Sequence, residues 1–404
     1  MIKLGDICEF INGGAWSDKE YVSNGIPVLK VSNCKPSGFS IDDINYLPVS
    51  AAEKYGKNRL QKGDVIIATV GSHPNLKDSA AGRSCIVNSL VEGYYLNQNA
   101  VCIRTFNENV LSQQYLGYLT KHYPFQHYIQ VRGRGAANQM RIAISSIKEY
   151  AFDLPSIELQ RRIADILSAY DNLIENNQRQ IKLLEEAAQR LYKEWFIDLR
   201  FPGYETTPVV NGVPEGWEQH NLGETASILR RGISPKYDDN GKYLVISQKC
   251  IRQSIMNISE ARRESKEYTP ELNLQDRDTV ICSTGTGTLG RVGQVFGAYP
   301  DTTFDSHVTL VRTEEYQNFF YQAIKHQQDF LMGMGRGSTN QQELYRGVIE
   351  NLQILTPTQE VLNKAESLFS TIHDKITALY LQIGLLVEAR DRLLPKLMSG
   401  ELEV

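Results

Sequence analysis

The most constraining feature of this 404-residue chain is an internal repeat. Residues 157–196 match residues 359–398 at a constant offset of 202 positions, without a gap. In this alignment Glu186-Ala187 meets Glu388-Ala389, and many other identities fall in register. Apolar residues recur every three or four positions along both copies, a period typical of amphipathic helices. The chain is therefore expected to form two long helices of similar sequence.

Both helices should be continuous, because Ser156 and Thr358 are candidate N-caps and neither copy of the repeat contains a proline before position 395. Each would be about 58 Å long, too long for one small core, which predicts an antiparallel coiled coil. Four-residue steps on either side of Asn177 predict a stutter in the supercoil. Two unrelated surface helices are the alternative. The predicted coiled-coil and partner-binding side chains are Ile166, Tyr170, Leu173, Ile181, Leu184, Leu191, Leu368, Ile372, Ile376, Leu379, Ile383, Leu386 and Leu393.

The helices end a larger repeat, because short apolar runs recur in the same order before each of them. Residues 63–69 return as 277–283, and residues 99–105 return as 307–313. Such runs between Gly, Asp and Asn residues are typical of strands. We expect an α+β chain of two similar mixed-sheet domains, related by a pseudo-twofold axis. The predicted segments are a globular domain at 1–154, a long helix at 155–197, a Pro- and Gly-rich linker at 198–216, a second globular domain at 217–356 and a second long helix at 357–404. Because each domain has its own strands, both should stay folded when residues 380–404 are removed.

Composition limits the function classes. The net charge is −4, and no segment has the strongly basic total of a free-standing nucleic-acid binder. The six cysteines lie far apart, and neither they nor the seven histidines have zinc-ligand spacing, which predicts buried reduced thiols and no metal. No apolar run approaches a membrane span or a signal-peptide core, which predicts a cytoplasmic protein.

Four motifs carry a family resemblance. They are LLPKLMSGEL at 393–402, PEGW at 214–217 followed by LGE at 222–224, ELQRRIA at 158–164, and GTLGRVG at 287–293. With these motifs the chain resembles the specificity subunits of type I restriction-modification systems over nearly its whole length. The first half departs from the pattern, with GSHPNL at 71–76 where the second half has GTGTLG at 285–290.

The resemblance implies two target-recognition domains, each reading one half of a split site in double-stranded DNA. It also implies that the long helices dock two methyltransferase (modification) subunits, with restriction subunits beyond them. No cofactor is implied for this chain, which would recognise DNA and leave the chemistry to its partners.

Two matched polar loops are the main candidates for base reading, RGRGAANQ at 132–139 and GRGSTNQ at 335–341. Arginine can bridge guanine O6 and N7, while asparagine and glutamine can bridge adenine N6 and N7. Solvated polar turns are the alternative. The candidate DNA-binding residues of these loops are Arg132, Arg134, Asn138, Gln139, Arg336, Ser338, Thr339, Asn340 and Gln341. Weaker candidates are His73, Asn75, Lys77 and Thr286, with Lys30 and Lys249 as phosphate contacts at the ends of matched strands.

Catalytic motifs are missing from the sequence. Residues 285–290 formally match a dinucleotide fingerprint, but the strand-like run RVGQVF follows where a phosphate-binding helix would have to begin. That segment is therefore expected to be a turn between strands. Three function classes remain open: a DNA-recognition subunit, a non-catalytic protein-binding scaffold with two homologous domains, and an enzyme with an unrecognised site. The net charge and the acidic second domain favour the scaffold over the enzyme.

Overall fold

The computed structural model describes residues 1–35, 38–41, 44–72, 80–135, 140–252, 255–256, 258–285, 287–335 and 342–404. The chain forms two compact units. Unit 1 contains Met1–Ile174 and Leu385–Val404, and unit 2 contains Glu175–Gly384. Each unit therefore includes part of both long helices. Among the described residues, no helix is both long and apolar enough to cross a membrane.

Unit 1 is built on a four-stranded antiparallel sheet. Its strands, in spatial order, are Cys8–Asn12, Ala100–Thr105, Val65–Ala68 and Ser84–Ile86. A three-stranded sheet lies beside it, ordered Tyr95–Leu96, Ile26–Leu29 and Asn45–Leu47. The two-stranded pairs are Ile2–Lys3 with Ala151–Phe152, Cys34–Lys35 with Gly38–Phe39, and Val70–Gly71 with Met140–Arg141. The short helices are Leu4–Ile7, Ala51–Tyr55, Gln113–Lys121, Tyr123–Gln130 and Ile144–Lys148.

Unit 2 has a six-stranded sheet. Its order is Ala226–Arg231, Val308–Thr313, Thr279–Cys282, Val292–Gln294, Ile255–Met256 and Ile251–Arg252. A second sheet is ordered Arg262–Glu264, Tyr243–Ile246 and Thr302–Phe304. The two-stranded pairs are Glu218–Asn221 with Gln353–Thr356 and Val209–Val210 with Val213–Pro214. The short helices are Leu222–Thr225, Gln317–His326, Gln328–Gly333 and Arg346–Glu350.

The two units repeat the same framework, which confirms the predicted fold class. Cys102 pairs with Ile66 in unit 1, and their repeat equivalents Leu310 and Val280 pair in the same register in unit 2. Both units share one parallel strand pair, Ile26–Leu29 with Tyr95–Leu96 and Tyr243–Ile246 with Thr302–Phe304. Unit 2 has a second one, because Ile255–Met256 pairs parallel with Val292–Gln294 in the six-stranded sheet. Each unit thus combines a larger sheet, with an antiparallel centre, and a short mixed sheet.

The long helices are Ile157–Tyr192, extended by the π-helical turn Lys193–Ile197, and Gln359–Ser399. Within unit 2, Asn177 Nδ2 donates to Gln382 Oε1 over 3.3 Å, and Ile181 clusters with Ile376 and Leu379. Within unit 1, Arg390 Nη1 donates to Asp171 Oδ1 over 2.6 Å. Partner numbers rise on one helix as they fall on the other, so the helices pair antiparallel in each unit.

The seam of the first helix differs from the predicted stripe. Leu167, Ile174, Ile181 and Ala188 are all buried and lie seven residues apart, so the heptad continues without the predicted stutter. Leu173 lies outside this heptad and is 50% exposed, which corrects its assignment to the seam.

The second helix needs a similar correction. Leu368 is 44% exposed, whereas its neighbour Phe369 is 1% exposed. The buried side chains Phe369, Ile376 and Leu397 keep a spacing that is a multiple of seven residues, and Leu368 lies beside that stripe.

The end of the second helix is part of a globular core, which corrects the expectation that residues 380–404 can be removed without effect on the domains. Leu397 is 2% exposed and lies in the unit 1 core with Ile163, Ala164 and Leu167. Leu393 and Leu394 pack against the same core. Removing this segment would therefore expose apolar surface of unit 1.

Candidate nucleic-acid interface

In unit 1, one candidate segment starts directly after a strand, and another ends directly before the strand that pairs with it. Gly71 pairs with Met140 and Val70 pairs with Arg141, in antiparallel register. The backbone N–H of Ile142 continues this contact by donating to Thr69 O over 2.8 Å. The segment that follows Gly71 and the segment that precedes Met140 are therefore anchored side by side. The predicted residues His73, Asn75, Lys77, Asn138 and Gln139 belong to these segments but lie outside the described residues.

Arg134 stands at the base of the second of these segments. Its backbone exchanges two hydrogen bonds with Arg141, at 2.9 and 2.8 Å, and both arginines are exposed. The flanking glycines explain how the chain reaches this arrangement. A Cβ on Gly133 would lie 1.8 Å from Cε of the buried Met140, and Gly135 has φ +133°, a value that disfavours other residues. The Gly-Arg-Gly sequence thus allows the backbone of Arg134 to pair closely with that of Arg141.

Arg132 has a local role as well as an exposed position. Its guanidinium lies 3.6 Å from the ring centroid of Tyr128, and Nη1 donates to Tyr128 O over 3.1 Å. This carbonyl belongs to the last turn of the helix Tyr123–Gln130, where a cation is favourable. The Arg132 side chain is therefore held at the helix end, two residues before Arg134.

Unit 2 anchors its candidate segments in the same way. Thr284 forms an antiparallel bridge with Glu343, and Leu344 N–H donates to Ser283 O over 2.9 Å. Thr284 precedes the predicted Thr286, and Glu343 follows the predicted second polar loop. Thr286, Arg336, Ser338, Thr339, Asn340 and Gln341 themselves lie outside the described residues.

The glycine-rich segment of unit 2 is not followed by a helix. Gly285, Gly287 and Gly290 all have positive φ, at +102°, +77° and +77°, and Gly290 N–H donates to Cys282 O over 2.8 Å. The next element is the strand Val292–Gln294. A phosphate site of the dinucleotide type needs a helix N-terminus at this point. The segment instead turns the chain between two neighbouring strands, as the sequence predicted.

The two lysines predicted as phosphate contacts differ in their surroundings. Lys30 follows the strand Ile26–Leu29, is half-buried, and its Nζ donates to Asn45 Oδ1 over 3.3 Å. Lys249 is exposed in the 3-10 turn Gln248–Cys250, which begins two residues after the matched strand Tyr243–Ile246 ends. Lys249 therefore lies beyond the strand end where the sequence placed it.

Sequence reasoning missed that four polar side chains of unit 2 are connected, a group that we call the loop-base cluster: Arg231, Thr284, His307 and Glu343. Thr284 Oγ1 lies 2.6 Å from His307 Nδ1, and Arg231 Nη1 lies 3.5 Å from Glu343 Oε2. Arg231 Nη2 also donates to Leu344 O over 2.9 Å. The repeat offered a signal, because Glu343 and Arg141 occupy equivalent positions directly after the two loops.

Two of the buried thiols, Cys8 and Cys282, are unreactive near neutral pH. All six cysteines are free and buried. Burial raises the pKa of Cys8 to about 12 and that of Cys282 to about 12, so neither forms a thiolate near neutral pH. Among the residues that the structure describes, no group of three or more His, Cys, Asp or Glu side chains could hold a metal ion.

The family of the chain follows from comparison with known proteins. A family profile described as the type I restriction modification DNA specificity domain matches residues 1–186 and again residues 214–379. The chain therefore belongs to this family and is a specificity subunit of a type I restriction-modification system, the DNA-recognition component and not a catalytic one.

Two relatives agree with this assignment, and a solved structure has a similar fold. The chain is 29% identical to the type I restriction enzyme MjaIX specificity subunit of Methanocaldococcus jannaschii, over 72% of this chain and 69% of that protein. It is 22% identical to the HindI specificity subunit of Haemophilus influenzae, over 99% of this chain and 98% of that one. Its fold is similar to the S subunit of a type I system from M. genitalium, with a TM-score of 0.52, 16% identity, and 98% and 94% of the two chains covered.

Proposed function

We propose that each unit reads one half of a bipartite, asymmetric site in double-stranded DNA. The observation that carries the proposal is the paired anchoring of the candidate segments, Gly71 to Met140 in unit 1 and Thr284 to Glu343 in unit 2. Two loops that start from adjacent backbones can approach the same few base pairs. The hydrogen-bonded backbone at their ends gives such loops a fixed starting point, which suits base reading.

The two half-sites should differ in sequence, because the loops and their anchors differ between the units. Unit 1 presents the exposed Arg134 and Arg141 at the base of its loop, whereas unit 2 has Glu343 at the position equivalent to Arg141. Arginine donates to guanine, and a carboxylate can only accept, for example from the cytosine amino group. The asymmetry of the DNA site therefore follows from this chain alone.

Arg134 provides a test of base reading in unit 1. In the complex with its methyltransferase, Arg134→Ala should cost roughly 1–3 kcal/mol of discrimination at one position of one half-site. The control is Arg346→Ala, since Arg346 is exposed and pairs with Glu350 on a short helix of unit 2. Equal weakening on every sequence by Arg134→Ala would instead make this arginine a phosphate contact.

The chain alone should bind duplex DNA weakly and show no methyl transfer or cleavage. Its net charge of −4 means that few phosphates can be neutralised, and counterion release is the main source of non-specific affinity. A salt-dependent shift of duplex DNA that requires the cognate methyltransferase is the expected result. Methyl transfer by the purified chain would place the chemistry here, and the absence of any DNA shift in the complex would favour a protein-binding scaffold.

The long helices are proposed to dock two methyltransferase subunits. Leu183 is 55% exposed in unit 2, and its repeat equivalent Leu385 is 68% exposed in unit 1. Exposed leucines at equivalent positions of two similar helices offer two similar docking patches. Leu173, Leu368 and Leu381 are further exposed leucines of these helices, at 50%, 44% and 67%.

Stoichiometry tests the docking proposal. Leu183→Glu and Leu385→Glu should each reduce the mass of the co-purified complex by one methyltransferase subunit, because a buried carboxylate opposes the apolar contact. The control is Val49→Glu, since Val49 is 74% exposed and belongs to unit 1 but to neither long helix. Two bound subunits in both leucine variants would move the docking surface elsewhere.

The proposal also includes the domain boundaries and the cellular location. The target-recognition domains span residues 1–154 and 217–356, and the helices at 155–197 and 357–404 separate them, with a linker at 198–216. We place the complex in the cytoplasm, where six buried free thiols remain reduced.

A further inference from the structure

The loop-base cluster of unit 2 joins residues from four separate strands or turns. Arg231 ends the strand Ala226–Arg231, while His307 immediately precedes the strand Val308–Thr313. Thr284 and Glu343 are joined by their backbones. The sheet order therefore brings four polar side chains together at one end of the sheet.

Arg231 and Glu343 are in contact, but the contact is long and both side chains remain partly exposed. Their closest atoms are 3.5 Å apart, and the side chains are 31% and 47% exposed. The framework pair Arg312 and Asp278, in contrast, is joined over 2.6 Å with side chains 9% and 0% exposed. Arg231 is oriented by its bond to Leu344 O and still has donors for an outside partner, and Glu343 still has acceptors.

The chemistry of this pair matches one base pair. In the major groove, guanine presents two acceptors, O6 and N7, and the cytosine opposite presents the N4 amino donor beside them. A guanidinium next to a carboxylate offers donors and an acceptor in the complementary arrangement. We propose that Arg231 and Glu343 read one G·C base pair in the half-site of unit 2, a refinement that rests on the function proposed above.

Thr284 and His307 fix the backbone segment that carries Glu343. Thr284 holds Glu343 through the backbone bridge, and its hydroxyl is paired with His307 Nδ1. His307 N–H also donates to Asp305 Oδ1 over 2.9 Å, which fixes the turn before the strand. These contacts set the backbone direction from which Glu343 projects.

Unit 1 carries different side chains at the equivalent positions. Asn12 pairs with Val101 as Arg231 pairs with Thr309, so Asn12 is the counterpart of Arg231. Arg141 is the counterpart of Glu343, and both unit 1 residues are exposed. Without a carboxylate, this edge has no acceptor for a cytosine amino group from position 141. A G·C contact made by an arginine together with a carboxylate is therefore specific to the unit 2 half-site.

The test uses the full complex with its methyltransferase on a DNA library randomised over the recognition site. In Glu343→Ala the preference for G·C should fall roughly 5- to 150-fold, about 1–3 kcal/mol, at one position of one half-site. Arg231→Lys should lower the preference at the same position, because lysine lacks the bidentate fork. Glu350→Ala is the matched control, since it removes an exposed carboxylate of the same unit that pairs with Arg346.

The outcomes separate this inference from the proposed function. A wild-type complex with a bipartite motif and no change in either variant would overturn the G·C assignment alone. Uniform weakening on all sequences would also overturn it, because the pair would then contact phosphates or support the fold. A wild-type complex without a bipartite motif would contradict the proposed function itself. If Glu343→Ala fails to assemble, Arg231→Lys decides the question, since it keeps the charge.

Discussion

Arg312 donates two hydrogen bonds to Asp278, from Nε to Oδ1 over 2.7 Å and from Nη2 to Oδ2 over 2.6 Å. Arg104 contacts Asp64 in unit 1 with the same geometry, over 2.7 Å for both bonds. In each unit the arginine lies on one central strand and the aspartate immediately precedes its neighbour. The duplicated pair fixes the central strands of both sheets.

The surroundings of the two pairs are duplicated as well. Arg312 Nη2 donates to Asn273 O over 2.9 Å, and Arg104 Nη2 donates to Arg59 O over 3.1 Å. Burial raises the pKa of Asp278, although the hydrogen bonds from Arg312 oppose that rise. The framework is thus repeated in detail, while the loop-base residues differ between the units.

Removing one partner of the unit 2 pair should be strongly destabilising. Asp278→Ala leaves a guanidinium without its carboxylate in a site where Arg312 is 9% exposed, at a cost of about 3–5 kcal/mol in the free energy of unfolding. Asp64→Ala should cost less, because Arg104 is 23% exposed and water can reach it. Denaturant unfolding followed at the buried Trp217 and Trp16 reports on units 2 and 1 respectively. Equal, small losses in both variants would contradict a structural role.

Glu185 should make unit 2 less stable as the pH rises. Burial raises the pKa of Glu185 to about 7, partly offset by Lys325, and Oε1 has no partner among the described residues. A folded-state pKa above the unfolded value of about 4.5 means that stability is full below pH 4.5 and is lost as the pH rises through 7. Relative to Glu185→Gln, the wild type should lose about 3 kcal/mol over this range.

The measurement for Glu185 is denaturant unfolding of both chains at pH 4.5 and pH 8. Glu186→Gln is the control, because Glu186 is 43% exposed and lies 3.7 Å from Arg190. A constant difference between wild type and Glu185→Gln at the two pH values would show that folding does not raise the pKa of Glu185.

Gly232 should not tolerate a side chain. A Cβ there would lie 2.0 Å from Phe304 O and 2.5 Å from Asp305 O, both backbone atoms. Gly232→Ala should therefore cost at least about 1–3 kcal/mol in the free energy of unfolding of unit 2. Gly347→Ala is the control, because its added Cβ meets nothing within 4 Å and its helix favours alanine by about 0.5–1 kcal/mol. A neutral Gly232→Ala would mean that the backbone can move apart at this edge.

Leu397 should stabilise unit 1 although it lies near the end of the second long helix. Because it is 2% exposed within the unit 1 core, Leu397→Ala should cost about 2–5 kcal/mol, measured by unfolding at Trp16. Leu402→Ala, at a position 43% exposed, should be nearly neutral. If Leu397→Ala left the free energy of unfolding of unit 1 unchanged, the globular core would be independent of the helix end, as the sequence predicted.

Periodicity and repetition in the sequence predicted most of the fold. The 202-residue offset indicated both long helices, and matched apolar runs indicated the central strands, since burial requires a regular apolar period. The prediction that Leu173 and Leu368 lie in the helix seam was wrong. Each has an apolar neighbour, Ile174 and Phe369 respectively, that also fits a helical period and is the buried residue. Sequence spacing alone does not choose between such neighbours.

The site was only partly predictable. Local composition identified the polar loops, and their base-reading residues remain predictions. The loop-base cluster was missed because Arg231 and Glu343 are more than a hundred positions apart and meet only through the order of the strands. The framework pair Asp278 and Arg312 is likewise separated in sequence, by 34 positions. Contacts of this kind depend on topology, which local pattern does not contain.

Whether each unit reads one half-site is tested by mapping methylated positions in the DNA of cells that carry this chain and its methyltransferase. We expect one motif with two different specific halves and a non-specific spacer of fixed length. In cells with Arg134→Ala, one half of the motif should become degenerate while the other half and the spacer stay unchanged. A single continuous motif, or a loss of specificity in both halves from Arg134→Ala, would contradict the assignment of one half-site to each unit.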